Sequence, residues 1–432
     1  MKRTSLHRRL GVALPALVLL AGAAGCDSLL DVDRKDLILP GDLQGDPNAA
    51  QALVNASESQ YKRAFNWVAN SGAAATDEAI FAHGWSPWED YDERDLSGVG
   101  CPHDCIGYGY MASARTTSRN NAVAAKGTGA LEARAWAYAG YSTLLLADYQ
   151  CQVAIGGKLV SRDEAYDTAI AYLKQAVDLA TAARNDTLVN LANVGIARAY
   201  LNRWNLNEAI SYARKVDPQF KAWVRFSSSP NWDDWVNVYN LYNRTSGLRD
   251  PNEFNLALDP KDWSAARTDL RLPYDPSPRR MFTSKPEGRV GLLPYTPYSF
   301  EGWTPGNTTR IRDDADIMFA SGLEAQHILA EASLWGGSGG WSQGEVLSFL
   351  NARRAVGGHG PFTGSDLKGE ERAQRMMDLY FAGYRLPDLL RYQAHHGVDL
   401  WPRGAMGGYP DGVPYRYGGV TCWPVGQSEG MS

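Results

Sequence analysis

Between Leu131 and Val216 the chain carries four amphipathic patterns in succession, and no other stretch constrains the fold as much. LEARAWAYAGYSTLLLADY, EAYDTAIAYLKQAVDLA, LVNLANVGIARAYLNRW and LNEAISYARKV space Ala, Leu, Ile and Tyr three and four residues apart, the period of a helix that buries one face. Such a helix needs a partner for its apolar face. Helices joined by brief turns find it in the next one along, as antiparallel hairpins, and two hairpins in a row predict a helical-repeat scaffold.

The interval from Tyr200 to Ala209 matches the Tyr-to-Ala interval of a tetratricopeptide repeat, with Ala197 at the small position where helices approach, although the usual Trp is missing. Tyr200 itself reads as a core aromatic. Upstream, Asp46-Pro47 starts a helix running to about Asn70, and Gly107 to Lys126 forms another. After Pro218 the character changes: prolines interleaved with Trp and Tyr up to Arg312 rule out long helices and central strands, leaving a short helix at Trp232–Tyr242 and short hairpins around Arg289–Pro294. Helical periodicity returns at Asp316, with IMFASGLEAQHILAEASLW read as one helix, GEVLSFLNARRAV as a second closed by Gly357-Gly358, and Lys368–Ala382 as a third. The expected fold class is mainly α: a tetratricopeptide-like helical-repeat scaffold with long Pro- and aromatic-rich loops and few short strands.

At 432 residues with 44% hydrophobic content, the chain has enough apolar material for one large core or two ordinary ones. A formal net charge of −5, without a long basic run beyond the first residues, argues against a nucleic-acid partner. Those first residues form a targeting segment: Lys2, Arg3, Arg8 and Arg9, then the short apolar stretch Leu10–Leu20. The following Ala23-Ala24-Gly25-Cys26 resembles the lipobox of bacterial lipoproteins, with Ala23 where Leu is commoner, and predicts a lipid on Cys26. The expected organisation is a signal peptide at 1–25, a tether at 26–45 and a single domain at 46–432, comprising N-terminal helices and repeats (46–217), a loop-rich insertion (218–315) and a C-terminal helical part (316–432).

Outside the cytoplasm, Cys101, Cys105, Cys151 and Cys422 favour two disulfides. Two antiparallel helices spanning 107–126 and 129–150 would bring Cys151 near the Cys101–Cys105 loop, which favours Cys105–Cys151 over Cys101–Cys105. A metal held by Cys101, His103 and Cys105 lacks a second ligand pair at metal-site spacing, so no metal or cofactor is expected.

The C-terminal motifs resemble the SusD/RagB nutrient-uptake lipoproteins of bacterial outer membranes. Ala330-Glu331-Ala332, Leu350-Asn351-Ala352-Arg353-Arg354, Glu371-Arg372, Arg385-x-x-Asp388-Leu389-x-Arg391-Tyr392 and Trp423-Pro424-Val425-x-x-Ser428-Glu429 follow one another in that family's order. Leu131–Tyr149 and Tyr166–Leu179 are similar to its first repeat pair, whereas Pro387 and the modest chain length depart from its pattern. The resemblance implies a non-catalytic surface subunit, lipid-anchored in the outer membrane and facing the medium. It would capture an oligosaccharide, or a peptide, for a SusC-like TonB-dependent β-barrel transporter.

The resemblance also implies that the repeats face the transporter while the loops hold ligand. The candidates for ligand contact are Trp85, Trp88 and Tyr91 in a first aromatic loop, and Tyr295, Tyr298 and Trp303 in the proline-rich one. Sugar C–H faces stack on such rings; packing of each ring under its own loop is the alternative. Arg353, Arg354, Glu371, Arg372, Arg385, Asp388 and Arg391 read locally as charges that pair to fix helical hairpins, and His327, His395 and His396 as solvated or capping. A glycan hydrolase using Glu371 and Asp388, or an assembly adaptor without small ligand, are the competing functions. No Gly-x-Ser-x-Gly, His-Glu-x-x-His or phosphate-cradling loop supports enzymatic chemistry.

Overall fold

The computed structural model describes residues 47–78, 80–81, 86–96, 107–226, 256–257, 269–271, 274–281, 289–294, 316–380, 382–404 and 416–425, all within the unit Gly45–Ser432. Cys26, Cys101, His103, Cys105 and the helix expected at Trp232–Tyr242 lie outside the described residues. The chain is mainly helical, with a few short strands. In order, the elements are α1 (Pro47–Ala75), β1 (Ile80–Phe81), α2 (Ser86–Glu93), α3 (Tyr108–Ala124), α4 (Ala130–Tyr149), β2 (Val153–Ile155), β3 (Lys158–Val160), α5 (Arg162–Ala182), α6 (Asp186–Asn202) and α7 (Leu206–Ala213). Then come β4 (Lys221–Val224), β5 (Leu256–Ala257), β6 (Tyr274–Met281), β7 (Arg289–Pro294), β8 (Ile317–Ser321), α8 (Gly322–Leu334), α9 (Gln343–Val356), α10 (Leu367–Asp378), α11 (Arg385–Arg391) and a π-helical turn at Tyr392–His396.

The four central patterns fold as the expected hairpins, α4 to α7. Local chemistry sets their ends: Ser161 and Glu164 form a reciprocal capping box at the start of α5, and the Asn185 side chain accepts from the Leu188 N–H to cap α6. Arg184 and Trp204 end α5 and α6 in the left-handed region, φ 53° and 58°. The next amide in each case closes back on a carbonyl of the last turn, Asn185 on Ala180 and Asn205 on Tyr200, which makes the turns short.

One expectation changes here. The first pattern predicts one buried face, but nearly all of α4 is buried, because α1, α3, α5 and α6 surround it. Its many alanines and Gly140 permit this. Leu173 of α5 inserts between Gly140 of α4 and Gly195 of α6, where an added Cβ would lie 2.5 and 2.8 Å from the leucine side chain. Tyr200 is also different from its reading as core: it is half-buried, and its hydroxyl accepts from Lys174 Nζ at 3.0 Å.

Asp316–Trp335 is not one helix. Ile317–Ser321 is the fully buried strand β8, paired antiparallel with β4, and the helix starts only at Gly322 behind a Ser321 cap. A short continuous apolar run fits a buried strand as well as a helix, and periodicity does not separate the two. The ladder shifts register between Ala222 and Trp223, so that Ala320 and Met318 have partners on β4 while Phe319 between them has none. That bulge turns the Phe319 carbonyl toward Arg198 Nη2 and the Tyr384 hydroxyl, each donating at 2.7 Å. The Phe319 ring meanwhile fills the space between Tyr61 of α1 and Tyr141 of α4, at 5.1 and 5.2 Å. The hairpin expected around Arg289–Pro294 is present as β6–β7. Among the described residues no helix is long and apolar enough to cross a membrane.

Candidate functional site

The end of α1 is pinned before the chain leaves it. Asp77 accepts from Arg385 Nε and Nη2 at 2.6 and 2.7 Å, and the Tyr380 hydroxyl donates to the Glu78 carbonyl at 2.6 Å. The fixed chain then enters β1, which pairs antiparallel with β5 (Ile80 with Ala257, Phe81 with Leu256). Strand β5 lies against β7, itself paired with β6. Downstream of β1 come Trp85 and then α2, and β7 ends at Pro294, immediately before Tyr295. Two aromatic segments far apart in sequence therefore depart from one strand cluster.

Of the candidate contacts, Trp85, Tyr295, Tyr298 and Trp303 lie outside the described residues, as does the Trp88 side chain. The stretch around Trp88 is helical, as α2, where an unpatterned loop was expected. Pro87 falls in its first turn, which the fixed φ of proline suits. Tyr91 requires a correction. It is 3% exposed and meets Trp423 edge to face at 5.0 Å, so it belongs to the core rather than to a stacking surface. Burial, with the Asp90 charge adding to it, pushes its phenol well above the usual range.

The partner that buries Tyr91 comes from the end of the chain. Residues 416–425 run past α2 and α4 as a strap: Gly418 and Val420 donate to the Glu93 and Arg94 carbonyls at 2.7 and 3.2 Å, Trp423 donates to Tyr149 at 2.8 Å, and Cys151 donates back to Trp423 at 2.9 Å. An added Cβ on Gly418 would sit 2.4 Å from the Arg94 carbonyl oxygen, so only glycine allows this approach. This strap corrects the cysteine pairing. Cys151 is bonded to Cys422, not to Cys105, because the parallel bridge between Gln150 and Trp423 sets the two side by side. Arg94, at the end of α2, donates to the Gly418 carbonyl at 2.8 Å and to Pro402, with its guanidinium against Trp401 and Tyr417. Burial, with Arg403 nearby, lowers it to about 10.

No family model matches the sequence, and no curated protein is similar to it. Solved structures are. A SusD superfamily protein from Bacteroides vulgatus superposes with a TM-score of 0.61 at 14% identity, over 88% of this chain and 96% of that one. The chain has a SusD-like fold. A surface glycan-binding protein A from Bacteroides fluxus gives 0.57 at 13% identity (84% and 93% covered), and a laminarin-binding SusD-like protein 0.52 at 12% (89% and 97%).

The SusD-like frame is held by buried ion pairs. Arg391 grips Glu331 through Nε and Nη2 at 2.6 and 2.8 Å and also reaches Asp388 at 2.8 Å and Asn202 at 2.6 Å. Arg375 pairs with Asp388 at 2.8 and 3.1 Å, and Arg198 with Glu324 at 2.6 and 2.8 Å. Asp378 collects Arg353, Arg271 and His327. Burial alone would raise the carboxyls of Glu331, Asp378 and Asp388, but the surrounding donors outweigh it. Arg391 and His396 hold Glu331, and His327, Arg271 and Arg353 hold Asp378, well below the carboxylate range.

Glu371 is shifted the other way. It is fully buried, 3.5 Å from His327 Nδ1, beyond hydrogen-bond distance, and its carboxyl is raised by burial and then by Glu331, against a lowering by His327. Asp388 is locked between two arginines, so Glu371 and Asp388 offer no accessible acid-base pair. His327 and the His396 side chain are buried, not solvated as expected, whereas His395 is exposed. Among the described residues no group of three or more His, Cys, Asp or Glu is placed to hold a metal ion.

Arg198, Asp77, Glu324, Arg375 and Asp378 were not among the sequence candidates. Charged residues inside apolar helical patterns were the available signal, since such groups are buried only when paired.

Proposed function

We propose that this chain is a SusD/RagB-family lipoprotein that binds an oligomeric nutrient, a glycan above all, at the bacterial outer-membrane surface. It passes the ligand to a SusC-like TonB-dependent β-barrel transporter without chemically altering it. The observation that carries this reading is the shared strand cluster from which both aromatic segments depart, within a fold whose solved examples include proteins named for glycan and laminarin binding. Trp85, Trp88, Tyr295, Tyr298 and Trp303 supply the stacking faces, and Tyr91 holds α2 against Trp423. Residues 1–25 are the signal peptide, Cys26 carries the lipid and 26–45 form the tether to the domain at 46–432.

The test is retention of the purified mature protein on a panel of immobilised glycans and peptides, with Trp85→Ala and Trp303→Ala beside the parent. Retention without turnover, lost in either variant, supports the reading. Turnover of any bound glycan, or its retention unchanged in both variants, contradicts the non-catalytic role or the site. Co-purification of a β-barrel transporter from native outer membrane tests the partner, and its repeated absence would remove delivery from the function.

A further inference from the structure

A cluster of rings and cations gathers where α6, α8, α10 and the π-helical turn meet. Trp204, at the left-handed end of α6, has its indole parallel to the exposed His395 imidazole, with ring centres 4.6 Å apart and planes 2° from parallel. It also meets Trp335, the C-terminal cap of α8, edge to face at 6.4 Å. Trp335 in turn stacks on His396 at 3.7 Å. Against the same indole stand two cations of α10, Lys368 Nζ at 4.7 Å from the ring centre and Arg372 Cζ at 5.9 Å.

Those cations differ from the paired arginines of the frame. Among the described residues neither Lys368 nor Arg372 forms an ion pair, while Arg353, Arg354, Arg375 and Arg391 all do. Lys368 is exposed and lies in the first turn of α10, where the positive end of the helix dipole disfavours a cation. The Trp335 ring offsets part of that cost. Its placement is therefore not what helix stability selects.

We propose that this cluster is a carboxylate-selective saccharide subsite. A sugar ring packs on the outer face of His395, backed by Trp204, while a uronate carboxylate on the same short oligosaccharide pairs with Lys368 and Arg372. His396 covers a face of Trp335 and Lys368 stands against the ring, which leaves His395 as the exposed stacking face. The links from His395 through Trp204 and Trp335 to Lys368 suit a ligand longer than one sugar. A carboxylate carried on a stackable ring uses both halves of the cluster, whereas an acidic peptide uses only the cations. The subsite takes from the proposed function only that the ligands are glycans, and it uses none of the residues named there.

Titration calorimetry of the mature chain with tetragalacturonate, its fully methyl-esterified form and a hexaglutamate peptide tests this. Tetragalacturonate is expected to bind about tenfold tighter than the ester, the worth of one charge-assisted hydrogen bond, and to weaken as salt rises. Lys368→Gln and Arg372→Gln should each cost roughly threefold or more, with melting temperature unchanged because neither holds the frame. His395→Ala should weaken the acid and the ester alike. Equal binding of acid and ester, parental affinity in both Gln variants, or no binding of tetragalacturonate would overturn the subsite. Hexaglutamate binding as tight as tetragalacturonate would overturn it in favour of a protein-docking surface. Retention of neutral glycans dependent on Trp85 or Trp303 is read separately, so failure of the subsite and failure of the proposed function are distinguishable.

Discussion

Arg391 shows how the frame depends on neutralised charge. Replacing it with methionine keeps most of its apolar stem but removes the guanidinium from Glu331, Asp388 and Asn202. Asp388 keeps Arg375, with bonds of 2.8 and 3.1 Å. Glu331 keeps His396, at 3.2 Å, and the unbonded charge of Arg375, and is fully buried. The loss therefore falls on one stranded carboxylate, for which about 3–5 kcal/mol is expected. Urea unfolding at neutral pH, followed by tryptophan fluorescence, should show this as a lower midpoint at unchanged slope. Adding Glu331→Gln removes the stranded charge and should restore at least about 2 kcal/mol.

The pH dependence follows. Without Arg391 the folded-state pKa of Glu331 moves up, so the deficit of the single variant is largest at neutral pH and shrinks as pH falls and the carboxylate protonates. A deficit below about 1 kcal/mol, or a double variant no more stable than the single one, would refute the argument that pairing rather than packing sets the cost.

Glu371→Gln should act in the opposite sense. Burial raises the Glu371 carboxyl in the folded state, so the parent loses stability as pH rises from the unfolded value of about 4.3 through the folded one. The Gln variant should be the more stable at neutral pH, with the difference vanishing in acid, as measured by unfolding at several pH values. Cys151→Ser removes a crosslink across a sequence separation of 271, for which chain entropy sets a ceiling of about 5.6 kcal/mol, with about 2–4 kcal/mol expected. Hydrogen exchange of the Gly418, Val420 and Trp423 amides should accelerate while the α5–α6 hairpin stays protected. Gly418→Ala forces a Cβ against the Arg94 carbonyl and should cost about 1–3 kcal/mol in thermal unfolding, with exchange rising at the same amides.

The helices of the frame were legible because their determinants are local. The three- and four-residue spacing of Leu131–Val216, the Ser161/Glu164 and Ser342/Glu345 capping boxes, and Gly358 after α9 each act within a turn or two of chain. The sequence motifs were also sufficient to suggest the SusD resemblance, which the fold bears out. What they could not reveal has partners far away in the chain. Ile317–Ser321 is apolar on both faces, and only β4 beside it makes it a strand rather than the first turn of a helix. Tyr91 looks like a surface aromatic until Trp423 packs on it. Cys151 finds Cys422 because the last residues run along the end of α4, a path that no local pattern specifies. Charges at 77, 198, 324, 378 and 391 are each unfavourable in a core by themselves, and become its supports only when tertiary structure sets their counter-ions within hydrogen-bond distance. The sequence alone thus determined which segments are helices and where they stop. Tertiary structure decided which of them bury completely, which cysteines meet, and that the two aromatic segments share one anchor, since those outcomes depend on contacts whose two halves lie far apart in the chain.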